Sequence, residues 1–330
     1  MTTRAPAVLT NHPGPATETP VASQDTIAVI TGGKNDDVRH SSNEVFPSTS
    51  DCSIPSLPEG ISHHALFTTA EPAQRLAVCG GTIETSCLVL DKERGTWDGS
   101  TLGPLPQKRN HHTAVTLKNI GSYLIGGWNN GNPSTTDFLP AGEQQWISGP
   151  QPPVDMYLPC AVVIGDKKFL GISGSNIREY QVDIDNPTSD DGWQEATRWP
   201  QLQGGMGDHV GRWDWPGCAK VADKVVIAGG SSGGPSYATL RSTEILDLET
   251  RTIRKAGDLT TARRWFHIIT ITTNGIETTF ALGGRAYYFI DSIEEFDLDT
   301  LTWKTTSAKL AAKKGYYGAV AFPKSLVCQV

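Results

Sequence analysis

The chain has 330 residues, a formal net charge of −7 at pH 7 and a hydrophobic content of 38%, with 34 Gly and 21 Pro. The acidic balance argues against a general nucleic-acid or anionic-membrane binder, and no apolar run is long enough for a membrane span. Residues 1–25 are rich in Pro, Thr and Ala and predict a flexible segment without the apolar stretch of a signal peptide.

From residue 26 onward the chain carries an internal repeat. Short apolar runs end in a Gly-Gly or Ser-Gly pair at intervals of about fifty residues, which is the signature of a repeat architecture. Each pair suits the end of a strand, because glycine allows a positive φ and the close approach of a neighbouring backbone. The pairs are Gly32-Gly33, Gly80-Gly81, Gly126-Gly127, Ser173-Gly174, Gly229-Gly230 and Gly283-Gly284.

Three further marks recur between the pairs. A strand-like run with acidic or aromatic residues follows each pair, then in four repeats a Trp, and then a β-branched run such as HHTAVTL or PCAVVI. Short alternating runs bounded by Gly, Pro, Asn and Asp predict four short antiparallel strands in each repeat. The recurring tryptophans, suited to fill the wedge between neighbouring sheets, are Trp97, Trp146, Trp193 and Trp303.

This pattern, with Arg-x-x-His before two inner strands (Arg109 to His112 and Arg264 to His267), resembles the kelch repeat. The resemblance covers residues 26–323, extends distantly to the central domain of galactose oxidase, and implies an all-β, six-bladed β-propeller with four antiparallel strands per blade. The first repeat lacks an inner strand before Ile27. We expect residues 315–322 to supply it and close the ring, which removes exposed sheet edges and leaves 324–330 as a tail.

The six cysteines are predicted to fall into three groups. Cys79 and Cys87 lie on adjacent strands within disulfide reach, and Cys52 and Cys328 lie where a bond would staple the closure. Cys160 and Cys218 are interpreted as buried free thiols. The alternative is that all six are reduced in a cytoplasmic protein. The run Cys79-Gly80-Gly81, followed by Cys87 in the next strand, resembles extracellular kelch-domain proteins of invertebrates, which favours an extracellular or secreted monomer.

In the propeller topology, the loops joining second to third strands share one face with those joining each fourth strand to the next inner strand. We call this the loop face, and we expect it to bind a ligand because it gathers Arg, Trp, Tyr and His side chains. Half of these residues are expected to serve the scaffold instead. The candidate ligand-binding residues are Arg212, Trp213, Trp215, Trp128, Arg285, Tyr287, Arg109, Arg264, Trp265, His63, His112 and Tyr317.

Among these, Arg212, Trp213 and Trp215 are the strongest candidates, because their loop is an insertion that lengthens its repeat. Trp128 and Arg285 come next. The metazoan adaptor proteins with six-bladed kelch domains hold acidic peptide motifs on this face, so the resemblance implies a protein or peptide ligand. A glycan is the alternative ligand.

Catalysis is the rival function. Kelch-like enzymes include copper radical oxidases, sialic acid epimerases and iron-dependent specifier proteins, and the oxidases need two His and two Tyr, one Tyr being joined to a Cys. His63, His112, His267 and Tyr317 are predicted near the axis, but the Tyr-His-Ser motif of those oxidases is missing. Asp208 and His209 could be proposed as the acid and base of an epimerase, without support from their spacing. We therefore expect a non-catalytic recognition module with no cofactor and no metal.

Overall fold

The computed structural model describes residues 24–36, 38–48, 52–129, 132–133, 135–202, 213–232 and 238–328. Six antiparallel sheets are arranged around a central channel, so the fold is the all-β, six-bladed propeller that the repeat predicts. Within the described residues, no helix is long and apolar enough to cross a membrane.

The inner and second strands of the six blades form a regular set. The inner strands line the channel and are, for blades 2 to 6 and then blade 1, Ala65–Thr68, Thr113–Leu117, Cys160–Gly165, Gly217–Val221, His267–Thr273 and Gly318–Pro323. The second strands of blades 1 to 6 are Thr26–Thr31, Leu76–Cys79, Gly121–Ile125, Lys168–Ser173, Lys224–Ala228 and Ile276–Leu282.

The outer strands are less uniform than the repeat predicts. The third strands of blades 1 to 6 are Asn43–Phe46, Cys87–Asp91, Asp137–Pro140, Asn176–Gln181, Thr243–Asp247 and Ser292–Asp297. Fourth strands occur in blades 2, 3, 5 and 6, at Thr96–Asp98, Ile147–Ser148, Ile253–Ala256 and Thr302–Lys309. Among the described residues, blades 1 and 4 have three strands. In blade 4, Trp193 is joined to Tyr180 by a single bridge, and the described residues of this blade form no fourth strand.

Short two-stranded ribbons and helical turns lie in the connections between the strands or directly after the last strand. In the described part of the chain, three two-stranded ribbons lie on the loop face: Lys34–Asn35 with Val38–Arg39, Trp128–Asn129 with Asn132–Pro133, and Trp213–Asp214 with Ser231–Ser232. The helical turns are Gly81–Ile83, Asp190–Gly192, Ala196–Arg198 and, inside the predicted tail, Lys324–Val327.

The first blade is completed by the last strand of the chain, as predicted. Gly318–Pro323 pairs antiparallel with Thr26–Thr31 along the whole length of both strands, so that Ile27 lies opposite Phe322. The same C-terminal strand contacts the inner strands of blades 2 and 6. The six inner strands therefore form a closed ring in which each strand contacts the next.

Tryptophans fill the wedges between blades. Trp97 of blade 2 packs with Ile27 and Val29 of blade 1, and its indole N–H donates to the Pro55 carbonyl at 2.8 Å. Trp146 and Trp303 take the same place between blades 2 and 3 and between blades 5 and 6. The predicted role of the recurring Trp is confirmed at these three positions.

All six cysteines form disulfides, which confirms two predicted pairs and corrects the third. Cys52 is bonded to Cys328 across a sequence separation of 276 residues, and Cys79 is bonded to Cys87. The prediction that Cys160 and Cys218 are free thiols is wrong. They lie on the inner strands of blades 4 and 5 with their Cα atoms 6.0 Å apart, and a disulfide joins them across the channel wall.

Candidate functional site

One backbone hydrogen bond aligns the loops that lead into the inner strands. The amide of the second glycine in a pair donates to a carbonyl in the leading loop of the next blade, for example Gly81 N to Arg109 O at 2.8 Å. A Cβ atom on that glycine would collide with the leading loop of its own blade, as a Cβ atom on Gly81 would with the Ser62 carbonyl oxygen. We call the accepting residues the anchor positions; they are Ile61, Arg109, Met156, Arg263 and Lys314.

Basic side chains at the anchor positions are buried in ion pairs. Arg109 pairs with Asp137 on the third strand of its own blade, at 2.6 Å, and is 1% exposed. Arg263 pairs with Glu294 in the same way. Arg109 therefore belongs to the scaffold and not to the ligand face. The predicted match of Arg264-x-x-His267 with Arg109-x-x-His112 is also wrong by one residue, since Arg263 occupies the place of Arg109.

Two residues beyond each anchor position, the backbone turns with φ between 48° and 62°. This left-handed conformation is uncommon for residues other than glycine, and here it recurs in every blade. It lets His63 N donate to Tyr316 O and His111 N donate to His63 O, which links neighbouring loops around the axis. We call these residues the collar; they are His63, His111, Leu158, Trp215, Trp265 and Tyr316.

The rings of the collar meet at one end of the channel. His63 lies 4.3 Å from His111 and 4.1 Å from Tyr316, measured between ring centroids. Tyr316 stacks on Trp265 at 4.0 Å, and Trp265 meets Trp215 edge-on at 5.6 Å. Behind the collar the channel encloses a cavity of about 560 Å³, lined by the inner strands. The collar thus forms an aromatic rim between the loop face and the channel.

The residues that follow the collar are buried between blades. The His64 ring accepts a hydrogen bond from Gly318 N at 3.1 Å and lies 2.9 Å from the Thr31 hydroxyl. Tyr317 is 1% exposed and donates its hydroxyl to the Leu282 carbonyl, while the His267 ring lies 2.9 Å from Tyr317 O. His112 is also buried. Of the predicted face residues, His112 and Tyr317 therefore belong to the core.

The imidazoles of the collar are neutral. Burial is the main cause that lowers the pKa of His63 to about 2 and of His111 to about 4. The proximity of His111 and Lys34 lowers the pKa of His63 further, and Lys34 does the same for His111. The positive charge around the collar therefore comes from lysine and arginine side chains.

These cations lie beside the collar on blades 6 and 1. Arg264 and Arg285 lie 4.2 and 5.2 Å from the centre of the Trp265 ring, and Lys34 lies 5.4 Å from that of Tyr316. Burial lowers the pKa of Arg264, and Arg285 lowers it further. Within the described residues, Lys34 and Arg285 have no carboxylate in ion-pair contact.

Two tyrosines project beside Arg285. Tyr287 and Tyr288 are 82% and 74% exposed, with their rings 4.8 Å apart. We call Lys34, Arg264, Arg285, Tyr287 and Tyr288, together with Trp265 and Tyr316, the basic-aromatic surface.

Trp128 lies elsewhere on the loop face. Its backbone pairs with that of Asn110 on blade 3, and its ring, 38% exposed, lies 5.3 Å from Tyr157 of blade 4. The structure thus places the predicted face residues in two groups, one around Trp265 and Arg285 and one around Trp128.

Some predicted residues cannot be placed, and others were missed. Arg212, Asp208, His209 and the side chain of Trp213 lie outside the described residues, while Trp215 belongs to the collar. Sequence reasoning missed the roles of His111 and Lys34. Counting back from each inner strand would have found His111, because every collar residue stands two positions before the first residue of its inner strand.

The fold and this site define a six-bladed β-propeller with an aromatic collar at one end of its channel and a cationic surface beside it. No family model matches the chain, and no curated protein matches its sequence. Among the described residues there is no group of three or more His, Cys, Asp or Glu side chains suited to hold a metal ion.

Proposed function

We propose that this propeller is a kelch-type recognition module of an extracellular or secreted protein, and that its basic-aromatic surface binds an acidic segment of another protein. The observation that carries the proposal is the placement of Lys34 and Arg285. Their charges lie over aromatic rings, and within the described residues neither has a carboxylate partner. Three disulfides support an oxidising compartment.

The chemistry of this surface favours carboxylates as the ligand groups. A guanidinium presents paired N–H donors that match a carboxylate, and the rings beneath it limit its freedom before binding. Tyr287 and Tyr288 add exposed aromatic area next to these donors, and Tyr and Arg are the residue types that dominate binding interfaces. A short acidic peptide with an apolar residue meets both features.

Selection from a random peptide library on the immobilised propeller tests this function. We expect enrichment of Asp and Glu, and binding of selected peptides that weakens as salt rises. Arg285→Glu should weaken the selected peptides at least tenfold, because it reverses one charge of the site. Arg94→Glu is the matched control: Arg94 is exposed beside Asp91, between the third and fourth strands of blade 2 and away from the loop face.

The proposal fails if the selected peptides show no acidic preference, or if both charge reversals have the same effect. Binding of neutral oligosaccharides on a glycan array, abolished by Tyr287→Ala and unaffected by Arg285→Glu, would assign the surface to sugars instead.

The alternative function is a kelch-type enzyme, either a copper radical oxidase or a sugar epimerase. The epimerase candidates Asp208 and His209 lie outside the described residues. His63, His111 and Tyr316 do meet at the collar. However, the oxidase cofactor requires a Tyr joined to a Cys, and all six cysteines here are in disulfides. The residues present therefore do not fit a copper centre with a Tyr–Cys cross-link, and we derive no catalytic step from such a centre.

A further inference from the structure

The six blades share a second repeated position, opposite the anchor positions. It lies on the third strand of each blade. Its cross-strand neighbour on the second strand is the residue two positions before the first member of the glycine pair. In blade 3, for example, Asp137 lies opposite Leu124, and Leu124 is two residues before Gly126. We call these residues the acid positions; they are Glu44, Leu88, Asp137, Arg178, Glu244 and Glu294.

Anchor and acid positions combine in three ways among the five blades whose anchor residue is described. In blades 1, 3 and 6 a basic anchor residue forms an ion pair with a carboxylate at the acid position, as Lys314 does with Glu44 at 2.6 Å. In blade 2 both residues are apolar, namely Ile61 and Leu88. The fold therefore accepts either a charge pair or an uncharged pair.

Blade 4 differs because its acid position carries a cation. Arg178 occupies the place of the carboxylate, and the anchor residue is Met156. The thioether of Met156 packs over Gly171, the cross-strand neighbour of Arg178, so Arg178 and Met156 lie on the same side of the sheet. Because Met156 is uncharged, these two positions hold a cation and no carboxylate.

The guanidinium of Arg178 is buried and only partly satisfied. The side chain is 8% exposed, and its Nη atoms donate to Ile177 O and Asn176 Oδ1 at 3.1 Å each. Its Nε has no hydrogen-bond partner, and no carboxylate of the described residues forms an ion pair with it. Burial alone lowers its pKa. A buried cation without a counter-charge is costly, and a bound anion removes that cost.

The site is close to the loop face. The contact between Arg178 and Asn176 lies at the turn that joins the second and third strands of blade 4, where Ser173 already pairs with Asn176. The corresponding connection in blade 6 runs from 283 to 291. The turn of blade 4 is therefore much shorter, since only Gly174 and Ser175 lie between its two strands.

We propose that Arg178, with the adjoining turn of blade 4, binds an oxyanion group: a carboxylate, phosphate or sulfate that takes the place of the missing counter-charge. This site is independent of the basic-aromatic surface, because it lies on blade 4 and uses none of its residues. Its occupant is either a free small anion or the same group carried by a larger ligand.

Thermal unfolding in sodium sulfate, sodium phosphate and sodium acetate, each against sodium chloride of equal ionic strength, tests the site. We expect one oxyanion to raise the Tm of the wild type to a plateau, by roughly 3 °C more than it raises that of Arg178→Leu. This variant recreates the apolar pair of blade 2, so we expect it to fold. Arg94→Leu removes an exposed arginine and should respond like the wild type.

A second readout on the wild type does not depend on a variant. The ¹⁵Nε–H resonance of Arg178 should shift and saturate with the stabilising anion. The anion that does so distinguishes a carboxylate site from a phosphate or sulfate site. Equal responses of wild type and Arg178→Leu to all three anions, with an unmoved Nε–H resonance, would overturn the proposal and leave Arg178 a purely structural residue.

Discussion

At the level of single residues, the buried pair of Arg109 and Asp137 shows how this scaffold uses charge. Both side chains are almost fully buried, and the guanidinium also donates to the carbonyls of Leu124, Gly126 and Thr135. Those carbonyls belong to the ends of the second strand and of the following loop. The arginine therefore ties the leading loop of blade 3 to two other segments of the same blade.

We predict that Asp137→Ala lowers the free energy of unfolding by about 3–5 kcal/mol, because it leaves a buried guanidinium without its counter-charge. The double variant Arg109→Ile, Asp137→Leu copies the apolar pair of blade 2 and should lose about 0–2 kcal/mol. Urea denaturation of both variants checks this. A double variant less stable than Asp137→Ala would show that the pair is needed for more than charge compensation.

At the level of elements, the inner strands of blades 2, 3 and 6 begin beside histidines that are buried or, at His267, half-buried. His64, His112 and His267 all have a pKa below the ordinary value of 6.5, to about 3 for His64 and about 4 for His267, and burial is the largest cause. Each is neutral in the folded protein. The Nε2 of His64 accepts a hydrogen bond from the Gly318 amide of the closing strand, so it must stay unprotonated.

These histidines predict a loss of stability in mild acid. The unfolded chain binds their protons near pH 6.5, whereas the folded protein binds them only at much lower pH. The stability is therefore full above pH 6.5 and falls as the pH drops toward 4. His64→Gln, whose amide oxygen can still accept from Gly318, should lose about 2–3 kcal/mol less than the wild type between pH 7 and 4.5. Identical pH profiles in denaturant melts would contradict this.

At the level of the whole molecule, one disulfide secures the closure of the ring by the C-terminal strand, and another joins two neighbouring blades. Cys52–Cys328 joins the first blade to the short helix behind the closing strand, across 276 residues. Cys79–Cys87 closes only a hairpin within blade 2, with a separation of eight residues. Cys160–Cys218 joins the inner strand of blade 4, which has three described strands, to that of blade 5.

Because the entropy of the unfolded chain depends on loop length, the bonds that close the longest and the shortest loop should differ in their effects. Replacing Cys52 and Cys328 by Ser should lower the free energy of unfolding by about 5 kcal/mol, and replacing Cys79 and Cys87 by about 2–3 kcal/mol. Urea midpoints measure the difference. A thiol titration in denaturant without reductant should count no free cysteine, and a larger loss from the blade 2 pair would contradict the length argument.

The sequence by itself determined the number of blades, their strand order, the closing strand and two disulfides. It could do so because a positive φ, a turn and an alternating strand are each specified by residue types within a short stretch of sequence. Six copies of the same local pattern make the prediction stronger than one copy would. The candidate surface was only partly predictable. Trp265 and Arg285 were found, but Arg109, His112 and Tyr317 turn inward, since a side chain at a loop can point toward either the face or the wedge between blades.

The tertiary structure decided what lies across blades. Cys160 and Cys218 stand on inner strands that share no hydrogen-bonded ladder, so only the angular spacing of the ring brings their Cα atoms to 6.0 Å. Within blade 6, the path of the leading loop makes Arg263, and not Arg264, the ion-pair partner of Glu294. The reversed charge at Arg178 is recognised only from the strand register, which shows that Arg178 occupies the position of a carboxylate in other blades. Contacts of this kind depend on the geometry of the closed ring, which no local run of residues encodes.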